Sequence, residues 1–285
     1  MTVSGTAQTI PPKEMAILKS LLQDEDESVA SLAMEKLLPS AGLDEFLAEH
    51  QDDDDPMLRR RCFQMGYISA YRRHLTGLID SLKDNSFDLW ESVLMLDRLY
   101  DSQSSLSYLK SLYQNLALDY SSRKDSLRGL VRFLKERSFI TPTQNWADIS
   151  NYLIGDVLEN QVGSGLMLCI LAQQLGSQRG LALNICLHTG RYCLVDEKFN
   201  LVNPAESWKI TSNISPNLCH LCSKKEIILA LLFHLYSMAV ISWDPFDIFL
   251  FQKILSSYFD FPENAMPYPM GNFLHPDATT GVDNQ

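Results

Sequence analysis

The chain has 285 residues, 46% hydrophobic and 21% charged, an ordinary globular composition that supplies one large core or two modest ones. Lysine and arginine number 24 against 35 aspartates and glutamates, a formal net charge of -11, so a phosphate backbone is repelled and nucleic acid is excluded as an expected partner. Six cysteines, at 62, 169, 186, 193, 219 and 222, sit mostly in apolar segments, as reduced thiols do, which makes the cytoplasm the default compartment.

From the N-terminus, residues 1–13 contain no basic stretch followed by an apolar run and read as a mobile leader rather than a signal peptide. Residues 14–83 then read as helices separated by acidic turns. Gln23-Asp24-Glu25-Asp26-Glu27-Ser28-Val29 and Gln51-Asp52-Asp53-Asp54-Asp55-Pro56-Met57 are alike at an offset of 28 residues. Each places acids just before a helix, where carboxylates cap free N–H groups and favour the positive end of the dipole. Val29, Leu32 and Ala33, then Met57, Cys62 and Met65, recur at helical spacing. The pair resembles HEAT-type helical hairpins; an unspecialised helical bundle fits the same pattern. Asp52 to Asp55 lack the alternating ligands, glycine and terminal glutamate of an EF-hand, so a solvated helix start is expected rather than calcium. Arg59, Arg60 and Arg61 are expected to pair with those acids, and Arg72, Arg73 and His74 read as a similar solvated cluster.

After a polar break at Lys83-Asp84-Asn85-Ser86, amphipathic patterns predict helices over 87–100, 105–120 and 124–136, another over 151–161, and an apolar helix opened by Ser164-Gly165 that ends near Gly176. Three short segments, 181–187, 191–195 and 200–202, with turn signals between them, predict a small antiparallel meander. Helices return over 224–241 and 245–258, and 261–285 read as a loose tail. The longest apolar run, 227–241, is interrupted by His234 and falls short of the ~20 residues that span a bilayer, so it is expected to be a buried helix with no membrane partner.

Helices followed by one apolar helix feeding short strands is the arrangement of transglutaminase-like and papain-like folds. The stretch Asp156-Val157-Leu158-Glu159-Asn160-Gln161-Val162-Gly163 before the apolar helix, and Phe87-Asp88-Leu89 leading into Leu94-Met95-Leu96-Asp97-Arg98-Leu99, resemble the SirB-type branch of transglutaminase-like proteins. The helices at 224–258 resemble the start of that branch's tetratricopeptide region, cut to one hairpin. The resemblance implies an α+β chain: helices at 14–83, a transglutaminase-like domain over 84–223 and a helical hairpin over 224–260. It also implies a catalytic cysteine at the start of the apolar helix, a strand-borne histidine and an orienting acid. Those positions hold Gly165, Arg191 and Asn203, none of which can do the job required of it. The expected protein is therefore soluble and non-catalytic, needs no cofactor or metal, and acts by binding a protein or peptide. Ser164, Gly165, Arg191 and Asn203 are expected to form a notch for a carboxylate or similar anion. In the alternative, Arg191 pairs within the chain, with Glu159, Glu206 or Asp196.

A working cysteine enzyme would use Cys169 or Cys193 with His188 as base and Asp196 as orienter. The flanking Leu168 and Ile170 favour an inert thiol at 169. Cys219-His220-Leu221-Cys222 offers two thiolates to zinc but no second pair in sequence; only Cys186, His188 or His234 could complete the set. Trp146, Tyr152, Trp208, Trp243 and Phe246 read as core and hairpin packing rather than as a base-stacking platform.

Overall fold

A computed structural model describes residues 9–84, 87–100 and 106–261. Nearly all of the expected tail, most of the leader, and Asn85, Ser86 and Ser105 lie outside the described residues. The chain is α+β and mostly helical, with eleven α-helices among the described residues and one five-stranded antiparallel sheet. It divides into two compact units between Gly77 and Leu78, ahead of the expected joint and inside a helix.

The first unit contains α1 (Pro12–Leu22), α2 (Glu27–Leu37), α3 (Leu43–His50) and most of α4 (Pro56–Lys83). Leu18, Leu22, Ala33, Leu37, Phe46, Leu58, Cys62 and Met65 form its core; of the positions expected at helical spacing Ala33, Cys62 and Met65 belong to it, while Val29 and Met57 are half-buried and Leu32 is exposed. The acidic turns cap as expected: Asp26 accepts from the Ser28 N–H, and Asp55 from the Met57 N–H at 2.8 Å. Asp53 pairs with Lys19 and Asp55 accepts from Gln23 at 2.7 Å, which fastens the turn before α4 to α1. The arginine cluster behaves otherwise than expected. Arg61 is buried and donates to the Leu22 and Asp24 carbonyls, with Glu27 3.6 Å away, because its helical face points at the unpaired carbonyls that end α1 rather than at the aspartate run. Arg73 pairs with Asp44.

The second unit opens with α5 (Leu89–Tyr100), α6 (Leu106–Ser121) and α7 (Leu127–Glu136). The helix expected at 151–161 is broken at Leu153 into a 3-10 turn, Ile149–Tyr152, and α8 (Ile154–Asn160). The apolar helix α9 (Gly165–Ser177) leads into β1 (Leu183–His188), β2 (Arg191–Asp196), β3 (Leu201–Asn203), β4 (Lys209–Thr211) and β5 (Cys219–Leu221). The sheet order is β4-β3-β2-β1-β5, so the expected three-stranded meander gains a three-residue strand at each edge. Strands so short carry too little alternation to show in sequence. Thr189 and Gly190, both left-handed, close the β1–β2 hairpin as a two-residue turn.

The register fixes the two faces of the sheet. Ile185 lies opposite Leu194 and Leu187 opposite Tyr192, while Cys186 lies opposite Cys193 and His188 opposite Arg191. The Leu183 side chain lies against Gly176, so the face carrying Leu183, Ile185, Tyr192 and Leu194 is the one that meets α9. Cys186, Cys193, Val195 and Leu201 make a separate small core on the other face, closed by Phe199 and Ile214. The unit ends with the antiparallel hairpin of α10 (Lys224–Ser242) and α11 (Pro245–Phe259). By length and composition α10 is long and apolar enough to cross a membrane, contrary to the expectation from the apolar run alone; Ile227, Leu231 and Leu235 on it are buried within the unit.

Candidate functional site

The start of α9 is set by residues before it. Gly163 runs so close to Val157 that a Cβ there would stand 2.8 Å from a Val157 methyl, and its N–H donates to the Ile140 carbonyl. This turns the chain sharply out of α8. The Ser164 N–H then donates to the Asn151 carbonyl at 2.7 Å, and the Ser164 hydroxyl caps α9 by accepting from the Met167 N–H. Gly165 follows as the first helical residue. A Cβ built on it would have one neighbour within 4 Å, the Tyr192 carbonyl at 4.0 Å, so the approach is open.

Alternation along β2 decides which side chain faces this end of α9, and it is Tyr192 rather than Arg191. Arg191 lies on the opposite face, where its guanidinium contacts Glu206 at 3.4 Å. Asn203 donates to the same carboxylate at 3.1 Å and accepts from the Ala205 N–H, and Lys209 stands 3.6 Å from its second oxygen. Arg191 and Asn203 therefore do come together, but around Glu206. The expected external anion is replaced at Arg191 by a carboxylate of the chain, and Ser164 and Gly165 are not joined to that group by any polar contact among the described residues.

What does stand beside the start of α9 is a ring cluster absent from the sequence-based expectation. His234 on α10 stacks on Tyr152, ring centroids 5.7 Å apart, and meets the edge of Tyr192 at 6.1 Å. Tyr152 follows Asn151, the acceptor of the Ser164 N–H. His234 Nδ1 lies 2.6 Å from the Ala230 carbonyl, which can only accept, so Nδ1 carries a proton. Burial raises both tyrosine hydroxyls above their ordinary pKa; at Tyr192, Cys222 and Glu226 add to it. Both are therefore neutral donors near pH 7. Alternation in the sequence did not decide this, because Cys186, Cys193 and Val195 make the opposite face apolar as well.

The thiols offered for catalysis are closed off from solvent. Cys169 and Cys193 are fully buried; burial pushes the first well above its ordinary pKa and the second up to about 11. Cys186 is pushed up the same way. His188 and Asp196 stand at opposite ends of β2's pairing with β1, opposite Arg191 and Leu183 respectively. The length of strand between those ends is about 16 Å, so Asp196 cannot orient His188. Asp196 instead accepts from the Lys198 and Asn200 N–H groups and the Asn200 amide.

Among the described residues no three His, Cys, Asp or Glu side chains are placed to hold a metal ion. His220 is drawn to Glu226 at 2.8 Å rather than toward Cys219 or Cys222. Glu226 completes a capping box with Ser223, whose N–H and hydroxyl, with His220, hold its pKa down to about 2. Of the aromatics expected to pack, Trp208 does so, its indole donating to the Phe139 carbonyl, and Tyr152 does so in the ring cluster. Trp146 is exposed, and Trp243 and Phe246, though partly open to solvent, stand at the hairpin, the first at the left-handed turn between α10 and α11 and the second just after it. No protein-family model matches the chain, and neither does any curated protein or solved structure.

Proposed function

We propose that the chain is a non-catalytic transglutaminase-like protein of the SirB type that works by binding a protein or peptide. In this reading the first unit is a pair of HEAT-type hairpins and α10–α11 a tetratricopeptide-like hairpin. The observation that carries the proposal is the start of α9: an open approach at Gly165 beside the Tyr192 carbonyl, with no thiol, base or acid in catalytic relation among the described residues. Such a site leaves room for a ligand against exposed backbone but offers it no nucleophile. Its location is the cytoplasm, where six unpaired cysteines stay reduced.

Two measurements test the reading. Purified full-length chain gives no turnover on a panel of peptide amides, esters and glutamine donors; turnover abolished by Cys169→Ser or Cys193→Ser overturns it. Gly165→Trp fills the approach, so a partner recovered with the wild-type chain is lost with this variant while the melting temperature stays within about 2 °C. A partner retained by Gly165→Trp places recognition elsewhere and overturns the assignment to this site.

A further inference from the structure

The positive charge of this acidic chain is unevenly placed. Between residues 123 and 137 stand Arg123, Lys124, Arg128, Arg132, Lys135 and Arg137, against only Asp125 and Glu136. The nearby acids are already taken: Glu136 holds Arg123 and Arg132, Asp125 holds Arg179, and Asp119 holds Arg137. Among the described residues Lys124 and Arg128 have no acidic partner. Both line a cleft of about 700 Å³ between α7 and the strand side formed by Asp196, Asn200, Ile210 and Ser212. That volume suits a small organic ligand.

The position of Lys124 is built rather than incidental. The Ser126 N–H donates to the Lys124 carbonyl, folding the chain back so that this carbonyl lies where a Cβ on residue 129 would be; only Gly129 leaves room. The cleft also presents Leu127 and Ile210 as apolar lining and Ser126 and Ser212 as hydroxyls. Its one acid, Asp196, has its oxygens occupied by three donors of its own loop.

We propose that this cleft binds a phosphorylated small molecule, its phosphate held by Lys124 and Arg128 and its organic part laid on Leu127 and Ile210. Arg128 supplies a planar, two-pronged donor matched to phosphate oxygens, and Lys124 a compact point charge. Two cations left without acids on one cleft attract an anion, and the lining beside them gives that anion's organic group a place out of water. The site uses neither the start of α9 nor the ring cluster, so it stands or falls apart from the binding function proposed above.

Titration calorimetry of the full chain with phenyl phosphate and with inorganic phosphate tests it. Both bind saturably and phenyl phosphate binds at least about threefold more tightly, since its ring adds apolar contact. Lys124→Gln/Arg128→Gln weakens both at least about tenfold, whereas Arg59→Gln/Arg60→Gln, which removes the same charge elsewhere, leaves them unchanged. Gly129→Ala weakens both without touching either cation, because it displaces Lys124. Circular dichroism of each charge variant matches wild type, the cations being exposed. The proposal is overturned by no saturable binding at about 10 mM, by equal affinity for the two probes, or by affinity unaffected by Lys124→Gln/Arg128→Gln. Tighter, saturable binding of single-stranded RNA lost in the same variant would reassign the cleft to a nucleic-acid backbone and overturn it too.

Discussion

The starts of α4 and α8 are both held by a carboxylate, yet the two arrangements share little else. At α4 the carboxylate is local: Asp55 immediately precedes the helix, is half-buried and accepts from the Met57 N–H. At α8 the residue before the helix, Leu153, offers no side-chain cap, and the acceptor comes from α5, 57 residues earlier. Asp97 takes the Ile154 N–H at 2.7 Å and the Gly155 N–H at 3.1 Å while largely buried. Gly155 makes this possible, since a Cβ there would stand 2.9 Å from Asp97 Oδ1 and 2.8 Å from a Leu109 methyl. The same kind of hydrogen bond is thus made once by a neighbour in sequence and once by a distant helix in a more enclosed setting. Burial pushes the Asp97 pKa up to about 7, its two N–H donors opposing that shift, whereas the Met57 N–H holds Asp55 below its ordinary value.

The comparison sharpens at the other buried, remote capping group. Arg61 closes α1 by donating to the Leu22 and Asp24 carbonyls from 39 and 37 residues away. Arg61→Ala leaves those carbonyls unpaired beside a cavity, and urea denaturation is expected to show the largest loss among these changes, about 3–5 kcal/mol. Asp97→Ala strands two buried N–H groups but also relieves a buried carboxyl, so about 2–4 kcal/mol is expected. Gly155→Ala, which pushes Asp97 and Leu109 apart from α8, costs about 1–3 kcal/mol. A Gly155→Ala chain as stable as wild type would show that the close approach is not needed.

The two carboxylates also respond to pH with opposite signs. Asp97 has a folded pKa of about 7 against 3.8 in the unfolded chain, so the folded state binds the extra proton between those values. Its contribution to stability is full at the acid end and is lost as pH rises toward and through 7. Asp26, Asp53 and Asp55 are all held below 3.8, so theirs is present above that value and lost as pH falls through the folded pKa. Denaturant midpoints measured between about pH 4.5 and 8 are expected to fall less steeply with pH in Asp97→Asn than in wild type. Asp26→Ala and Asp55→Ala are expected to give the smallest shifts of all, seen in melting temperature near neutral pH and diminishing as pH falls through the lowered carboxylate range. An unchanged pH slope in Asp97→Asn would mean that Asp97 stays ionised throughout.

Local chemistry was legible in the order of residues. The acidic turns ahead of α2 and α4, Ser164 ahead of α9, the apolar stripe of the first unit and the Thr189-Gly190 hairpin follow from groups within a few residues of one another, because caps and turns are closed by their own neighbours. Which residues would lie opposite one another was not legible. A shift of one along β2 exchanges Arg191 for Tyr192 beside α9, and only the packing of Leu183 against Gly176 chose between them. That choice sent Arg191 to Glu206 and left Tyr192 beside Tyr152, where His234 reaches both rings from a helix on the far side of the sheet in chain order. Asp97 and Arg61 likewise look like ordinary surface charges on amphipathic helices, and became buried capping groups because the nearest unpaired backbone groups belonged to other helices. The order of residues determines which groups must find partners; the tertiary packing decides which partners come within the ~3 Å that a hydrogen bond allows.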